Sequence, residues 1–300
     1  MARPRLSVVI PAHNAAATLA RALASVRAQT PPPDEILVID DASTDATGVV
    51  AANFGATLIR LRARAGAAAA RNAGIAATTG EIVAFQDADD EWLPDKLARQ
   101  LPLLAGATFV ACGARLIAED GRDLGPLYNG EIPREGEASW RGLLARNTVA
   151  TPCVLVWRHA LAAVGGFDPA LEVAEDQDLW LRLARHGRLR YLDAPLVRVH
   201  RTGTSVSGVG TPLGARQQIR ITLPMIERHI AANRASLTAA EVRHIRGGRR
   251  LRAGAGACWT GAWGEGARLV VSAVLLGHRP LEGARVLLAT APPLRWLLGR

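Results

Sequence analysis

Four short apolar runs, separated by stretches with helical character, fill the first third of this sequence. The runs are Leu6 to Ile10, Glu35 to Ile39, Thr57 to Leu61 and Glu81 to Phe85. Their length and β-branched composition are typical of buried strands. Strands that alternate with helices imply a parallel sheet joined by right-handed crossovers. The sequence therefore predicts an α/β fold.

The turn after the first run excludes two common nucleotide-binding folds. It reads Pro11-Ala12-His13-Asn14 and contains no glycine. A dinucleotide-binding domain carries G-x-G-x-x-G at this place, and a P-loop protein carries G-x-x-x-x-G-K-[ST]. If the chain binds phosphates, something other than a glycine loop must hold them.

Acidic residues follow the fourth run directly. Asp87, Asp89, Asp90 and Glu91 come within six residues of Phe85. Open α/β sheets bind their ligands at the carboxyl ends of the strands, and these acids are expected there. Crowded carboxylates repel each other unless a cation lies among them, and a hard divalent ion suits oxygen ligands. The alternative is a solvated acidic turn that caps the helix expected to begin near residues 94–96.

Composition limits the class of protein. The formal charge is +9, but Lys96 is the only lysine, and the excess of alanine, arginine and glycine indicates genomic base composition. We therefore expect no nucleic-acid partner. The longest apolar candidate, Leu269 to Leu276, has eight residues, well below the roughly 18 of a membrane-spanning helix. The first strand leaves no room for a signal peptide, and three cysteines without C-x-x-C spacing predict a reducing cytoplasm.

Several sequence motifs together resemble family 2 glycosyltransferases. In order along the chain they are Ser7 to Asn14, Ile36 to Asp45, Ala70 to Gly74, Phe85 to Asp90, Val164 to Asp168, Glu175 to Leu183, and a strand that ends at His200. The resemblance covers roughly residues 5 to 207. It implies a GT-A fold, in which a Rossmann-like, mixed and mostly parallel sheet is flanked by helices, and it implies a nucleotide-sugar donor.

The expected domain organisation follows from that resemblance and from the change of pattern near residue 212. Residues 1–211 would form the catalytic domain, with a nucleotide-binding half at about 1–104 and an acceptor half at about 105–211. Residues 212–300 would form a helical C-terminal extension. Its first apolar stripe is interrupted by Pro224, which should kink the helix. Thr238 and Glu241 have the spacing of a capping box.

The resemblance also implies which residues bind the nucleotide sugar. They are Pro11, Ala12, His13, Asn14, Asp40, Asp41, Arg71, Asp87 and Ala88. Asp41 would accept a hydrogen bond from the base, while Asp40 suits a turn-forming role, as acids at strand exits commonly do. Arg71 would face the diphosphate, or else lie on the solvent face of its helix.

The same resemblance implies a metal site and a catalytic base. Asp89 is the first candidate ligand for Mn²⁺ or Mg²⁺, and Asp87 contacts the metal or the ribose. His200 is either a further ligand or a structural strand-end histidine. Asp176 would be the general base of an inverting reaction, with Glu175 and Asp178 as its near competitors.

The expected function is the transfer of a sugar from a nucleotide-diphosphate sugar, with a UDP-sugar as the expected donor, to an acceptor hydroxyl. We expect a role in cell-envelope polysaccharide biosynthesis in the cytoplasm, at or near the inner face of the membrane, with peripheral membrane contact through the C-terminal region as an open alternative. Two rivals are an inactive nucleotide-sugar-binding module and a sugar nucleotidyltransferase. The second normally carries a glycine-rich, arginine-bearing loop where this chain has Pro11 to Asn14.

Overall fold

The computed structural model describes residues 3–136, 138–201 and 211–291. These residues divide into two compact units. The first unit contains the described residues up to Leu143 and those from 147 to 201. The second contains Leu144–Arg146 together with residues 211–291.

The first unit is built on a single mixed sheet of nine strands. In chain order the strands are β1 (Leu6–Ala12), β2 (Glu35–Asp40), β3 (Thr57–Arg60), β4 (Ile82–Phe85), β5 (Glu91–Trp92), β6 (Phe109–Ile117), β7 (Asp123–Pro126), β8 (Leu155–Trp157) and β9 (Leu189–His200). Their order across the sheet is β3-β2-β1-β4-β8-β6-β9-β5. β7 lies off this path and pairs with β6. The four strands that carry the apolar runs are all parallel. β8 is antiparallel to both of its neighbours.

Helices flank this sheet, as the predicted α/β fold requires. Those that begin in the first unit are α1 (Leu19–Arg27), α2 (Thr47–Asn53), α3 (Ala67–Ala77), α4 (Lys96–Gln100), α5 (Ser139–Ala145), α6 (Arg158–Val164) and α7 (Glu175–His186). Short 3₁₀ turns occupy residues 101–104, 127–130 and 151–153. The mixed sheet with flanking helices confirms the predicted fold class.

The i, i+4, i+7 spacing of Leu19, Leu23 and Val26 predicts a helix face that packs in the core. Leu19, Leu23 and Val26 of α1 have no solvent-exposed surface, as the i, i+4, i+7 spacing indicates. α3 packs still closer to the sheet. A side chain at Gly74 would place its Cβ 2.4 Å from a methyl carbon of Val9. Glycine at this position lets α3 lie directly against β1.

An aromatic cluster joins the end of β4 to α7. The rings of Phe85 and Phe167 meet edge to face with centroids 5.3 Å apart, and Trp180 contacts both. Phe109 of β6 stacks on Trp180 at 6.0 Å. All four side chains are buried. Large aromatic rings contribute much of a core's apolar burial, so this cluster fixes the position of α7 relative to β4.

The segment before α7 is attached to α3 by a two-way hydrogen bond. The Asn72 amide donates to the Phe167 carbonyl at 2.8 Å, and its oxygen accepts from the Phe167 N–H at 2.9 Å. Gly166 precedes Phe167 with φ +69°, and a Cβ there would lie 2.7 Å from the Asn72 side-chain oxygen. Both the backbone conformation and the close contact require glycine.

Two local predictions differ from the structure. The apolar run Thr151 to Trp157 predicts one strand, but Thr151–Cys153 form a 3₁₀ turn and only Leu155–Trp157 pair in the sheet. Pro152 lacks an N–H for a strand ladder and has the φ value that a helical turn uses. The glycine, proline and charged residues of segment 119–138 predict a loop, but the segment contains the short strand β7.

The described part of the second unit is helical. Its helices are α8 (Pro212–Gln217), α9 (Leu223–Ala232), α10 (Ala239–Trp259), α11 (Trp263–Leu275) and α12 (Pro280–Thr290). Helical backbone continues without a break from α8 through a π-helical turn at residues 218–222 into α9, and Pro224 is the second residue of α9. The kink expected at Pro224 stays a prediction. The capping box of Thr238 and Glu241 is present as predicted. Within the described ranges, no helix is both long enough and apolar enough to cross a membrane.

The paired glycines before Phe167 allow a matched stability test. Gly165 and Gly166 both have positive φ, but a Cβ at Gly165 would meet no atom within 4 Å. We expect Gly165→Ala to cost about 1–2 kcal/mol of unfolding free energy through backbone strain. Gly166→Ala should cost roughly 1–3 kcal/mol more, because it also collides with Asn72. Urea denaturation measures both values, and equal losses would show that the Asn72 contact carries no weight.

Candidate active site

The first strand runs further than its sequence suggests. β1 extends through Pro11 and Ala12, which pair with Ile39 and Asp40 of β2. Both residues therefore lie in the strand rather than in the following turn. Pairing with β4 stops at Val9, so Pro11 lies past the end of that ladder. Its missing N–H is tolerated there.

The turn after β1 is bonded to the turn after β2. His13 Nδ1 lies 2.7 Å from the Asp41 carbonyl oxygen. The Asn14 N–H donates to Ser43 Oγ at 2.9 Å, and the Thr44 N–H donates to the Asn14 side chain at 2.8 Å. Asn14 has φ +48°, a conformation that asparagine tolerates better than most residues. These bonds form one preordered edge at the carboxyl ends of β1 and β2.

Asp40 and Asp41 have different environments. Asp40 has no exposed side-chain surface, and its carboxylate accepts from the Ser43 N–H at 2.8 Å and pairs with Arg60 at 3.0 Å. It therefore forms the turn, and its contact with a nucleotide stays a prediction. The Asp41 carboxylate accepts from the amides of residues 65 and 66 at 2.7 and 2.9 Å. This ties the segment before α3 to the β2 turn.

Arg71 lies at the centre of the site. Only 5% of it is exposed, so the alternative of a solvent-facing arginine is wrong. Nη2 donates to Asp87 Oδ1 and Nη1 donates to Glu175 Oε1, each at 2.8 Å. Its guanidinium also lies 5.3 Å from the centroid of the Phe167 ring. Burial opposes its charge, but the two carboxylates outweigh burial and raise the pKa of Arg71 above its ordinary value.

The acids after β4 are crowded and partly buried, and we call Asp87, Asp89, Asp90 and Glu91 the acid cluster. Burial first, and then the charge of Asp87, raises the pKa of Asp89 to about 6. Burial and the charges of Asp87 and Asp89 raise the pKa of Asp90 well above its usual range. Asp90 accepts a hydrogen bond from the backbone N–H of His200 at 2.9 Å. The main-chain oxygen of Asp89 accepts from Arg21 at 2.5 Å. Several carboxyl groups are therefore crowded together at the carboxyl end of β4.

The acids after β4 fit a cation that is shared with the phosphates of a substrate, rather than one that protein ligands alone surround. Among residues 3–136, 138–201 and 211–291, no three His, Cys, Asp or Glu side chains are grouped to hold a metal. Mg²⁺ is usually bound by one or two carboxylates together with substrate phosphates. Burial and, after it, the charge of Asp87 raise the pKa of Asp89, and a cation beside these carboxylates would favour their ionised forms. Asp89, with Asp87 beside it, matches such a site.

His200 lies at the end of β9, next to Glu91. Its Nε2 is 3.7 Å from Glu91 Oε2, and burial is the main cause that lowers its pKa. A lowered pKa favours the neutral imidazole, which is the form that binds metals. Its role as a ligand stays a prediction.

Asp176 lies in the first turn of α7 and is held by uncharged donors. Its Oδ2 accepts from the Asn147 amide at 3.0 Å, and its Oδ1 accepts from the Gln177 N–H at 2.6 Å. Burial first, and then the neighbouring Glu175, raises the pKa of Asp176 to about 7. Its side chain still has access to solvent.

The two acids that compete with Asp176 are bound to arginines. Glu175 contacts Arg71, and Asp178 accepts from Arg182 at 2.6 and 2.9 Å. Asp178 is also buried. A carboxylate paired with a guanidinium is a weaker base than one held by amides, because the cation stabilises its ionised form. The environment of Asp176 suits a base better than that of either competitor.

Residue patterns did not reveal two of the positioning groups. Asn147 lies in a stretch without a motif, and its partner Asp176 is 29 residues away. Asn72 lies within the Ala70 to Gly74 motif, which was its only signal. Ala88 lies between Asp87 and Asp89 and is buried.

Comparison with known proteins identifies the class. The mixed sheet with flanking helices is the GT-A fold. The family model described as glycosyl transferase family 2 matches residues 7–161. The chain belongs to this family, which confirms the resemblance and the assignment as a glycosyltransferase.

Relatives and solved structures extend this similarity. The putative teichuronic acid biosynthesis glycosyltransferase TuaG of Bacillus subtilis is 28% identical over 63% of this chain and 75% of its own length. The Escherichia coli UDP-Glc:alpha-D-GlcNAc-diphosphoundecaprenol beta-1,3-glucosyltransferase WfgD is 35% identical, but over only 33% of this chain and 40% of its own length. The mannosyltransferase PcManGT of Pyrobaculum calidifontis, solved with GDP-Man and Mn²⁺, has the same fold. Its TM-score is 0.60 at 22% identity, covering 100% of this chain and 84% of that one.

The Arg71 bridge predicts a large stability effect. Arg71→Met leaves Asp87 and Glu175 facing each other without a cation. Breaking a fully buried pair costs roughly 3–5 kcal/mol. We expect about 2–3 kcal/mol here, because Asp87 keeps some access to solvent. The matched control is Arg99→Met, which removes the exposed pair with Asp95 and should cost less than about 1 kcal/mol. Similar losses of unfolding free energy in urea would contradict the bridge.

Proposed function

We propose that this protein transfers a sugar from a nucleotide-diphosphate sugar to an acceptor hydroxyl, with inversion at the anomeric carbon and Asp176 as general base. The observation that carries the proposal is the carboxylate of Asp176. It is held by two amide donors, it has a pKa of about 7, and it lies next to Glu175, which shares the Arg71 guanidinium with Asp87 of the acid cluster.

The donor would lie at the carboxyl ends of β1, β2 and β4. Pro11 and Ala12 at the end of β1, with His13 and Asn14 in the turn that follows, would line the nucleotide pocket, and Asp41 would receive the base. Asp87, Ala88 and Arg71 would lie along the sugar and diphosphate. The name of WfgD includes UDP-Glc, and PcManGT was solved with GDP-Man, which supports a nucleotide-sugar donor. A UDP-sugar is the expected donor.

A divalent cation, Mn²⁺ or Mg²⁺, would be held by Asp89 and Asp87, with His200 as a further candidate. When bound, it supplies Lewis-acid stabilisation of the charge on the leaving diphosphate. The chain's own residues hold Asp87 and Asp89 in position. Arg71 holds Asp87 in place from behind, and Arg21 fixes the backbone of Asp89. The Mn²⁺ in the PcManGT structure supports this choice.

The base acts on the acceptor. Asp176 would take the proton from the attacking hydroxyl as the bond to the leaving diphosphate lengthens. A base works best when its pKa is near the working pH, and burial beside Glu175 brings Asp176 there. Partial deprotonation suffices because the anomeric carbon has oxocarbenium character in the transition state. The Asn147 amide keeps the carboxylate oriented.

The setting we propose is cell-envelope polysaccharide biosynthesis in the cytoplasm, at the inner face of the membrane. TuaG is named for teichuronic acid biosynthesis, and the name of WfgD includes a diphosphoundecaprenol acceptor. Residues 1–211 would be the catalytic domain, with donor binding in about 1–104 and acceptor binding in about 105–211. Residues 212–300 would be the extension.

Asp176→Asn tests the base directly, since it keeps the shape and removes the basicity. We expect kcat to fall by about 10²- to 10⁴-fold, while the donor Kd changes no more than a few-fold. Steady-state kinetics and donor titration measure the two effects. Asp178→Asn is the matched control from the same helix and should keep most of the activity. Near wild-type turnover by Asp176→Asn, or loss of activity in Asp178→Asn alone, would refute the assignment.

Metal removal tests the acid cluster. We expect transfer to stop in excess EDTA and to return with added Mn²⁺ or Mg²⁺. Asp89→Ala should lose metal-dependent donor binding, because one or two carboxylates hold such an ion with the phosphates. Asp95→Ala is the control, an exposed acid six residues further along the chain. Undiminished turnover in EDTA, or equal effects of the two substitutions, would contradict the metal site.

A further inference from the structure

The hairpin formed by α11 and α12 exposes an unusual number of apolar side chains. Among the described residues, nine large hydrophobic side chains are exposed, and four of them belong to this hairpin. They are Val271, Leu275, Leu281 and Leu288, with exposed fractions of 46%, 82%, 78% and 62%. We call these four side chains the hairpin face.

The spacing of the hairpin face separates it from the core of its unit. Val271 and Leu275 are four residues apart, and Leu281 and Leu288 are seven apart, so each pair lies along one side of its helix. Other positions of α11 fill the core, where Val270 and Ala273 pack with Leu251. The helices already have a buried side, and the exposed leucines form a second apolar surface.

Basic residues lie in the same two stripes. Arg268 is three residues before Val271, and Arg285 is four residues after Leu281. Both arginines are exposed. The acid at the start of α12, Glu282, is paired with Arg279 at 2.9 Å. Glu265 at the start of α11 is exposed too, so the solvent side of the hairpin combines leucines with three arginines and two acids.

The charge of the whole chain is concentrated in the same C-terminal region. Residues 204–300 contain 14 arginines and four acidic residues, whereas residues 1–203 contain 22 basic and 23 acidic residues. The first 203 residues are thus almost neutral, and the excess positive charge belongs to the remainder. Arginine is frequent in both parts of the chain, and the local excess arises mainly because residues 204–300 contain few acids.

We propose that the hairpin face docks on the surface of an anionic lipid bilayer. Apolar side chains with interspersed arginines are what an interfacial helix needs, because the leucines enter the acyl boundary and the arginines meet lipid phosphates. A second copy of this chain fits less well, because each copy carries fourteen arginines against four acidic residues in residues 204–300. This docking extends the proposed place at the membrane, and it is tested without donor or acceptor.

Sedimentation of the full-length protein with vesicles tests the proposal. The vesicles are phosphatidylglycerol mixed equally with phosphatidylcholine, or phosphatidylcholine alone. We expect binding to the anionic vesicles that weakens as salt is raised. The variant Leu275→Ser/Leu281→Ser/Leu288→Ser should lower the partition coefficient by about tenfold or more. The matched control Val49→Ser, a 61% exposed residue of α2, should leave it unchanged.

A second variant separates charge from apolar contact. Arg268→Gln/Arg285→Gln keeps the leucines and should reduce binding to anionic vesicles several-fold, with less effect on phosphatidylcholine alone. It also serves if the leucine variant fails to fold by circular dichroism. Donor titration of every variant reports on the proposed function independently, so loss of vesicle binding with intact donor binding belongs to the hairpin alone.

Two results would overturn the proposal. The first is wild-type binding to anionic vesicles that neither variant reduces. The second is no vesicle binding together with a dimer that the leucine substitutions convert to a monomer in light scattering. That outcome would assign the hairpin face to a second copy of the chain.

Discussion

The guanidinium of Arg71 is the interaction on which the active site depends. It is enclosed and contacts Asp87 after β4 and Glu175 at the start of α7, each at 2.8 Å. These two acids are 88 residues apart in sequence, and each belongs to a different motif. A buried charge is tolerated only when it is paired. The need to satisfy Arg71 therefore holds the acids after β4 and the start of α7 in one arrangement.

The carboxylates of Glu175, Asp176 and Asp178 have different environments because their hydrogen-bond partners differ. Glu175 and Asp178 face arginines, whereas Asp176 between them is held by amides. With burial and a negative neighbour, its pKa rises to about 7, which suits a base. The same condition has a stability cost. Since the folded-state pKa is raised, this group's contribution to stability is greatest below pH about 4 and falls as the pH rises towards 7.

Sequence patterns predicted the alternation of β1 to β4 with helices because buried strands and amphipathic helices leave local periodic signals. They also predicted that the acids after Phe85 lie at the carboxyl edge of the sheet and that Glu175 and Asp176 lie at the start of a helix. They failed at residues 151–157, where one proline turns an apolar run into a 3₁₀ turn. The pairing of Arg71 and the contact of Asn147 with Asp176 are long-range, and no local pattern encodes them.

The central claim is that the fold turns Asp176 into a base with a pKa near neutrality. The most direct measurement is a carboxyl-carbon NMR titration of the protein labelled with ¹³C at the aspartate side-chain carboxyl carbons, with Asp176→Asn used to assign the resonance. We predict that one aspartate titrates with a pKa of about 7, and that this resonance is missing from the Asp176→Asn spectrum. An Asp176 resonance that titrates near the ordinary value of about 4 would contradict the claim.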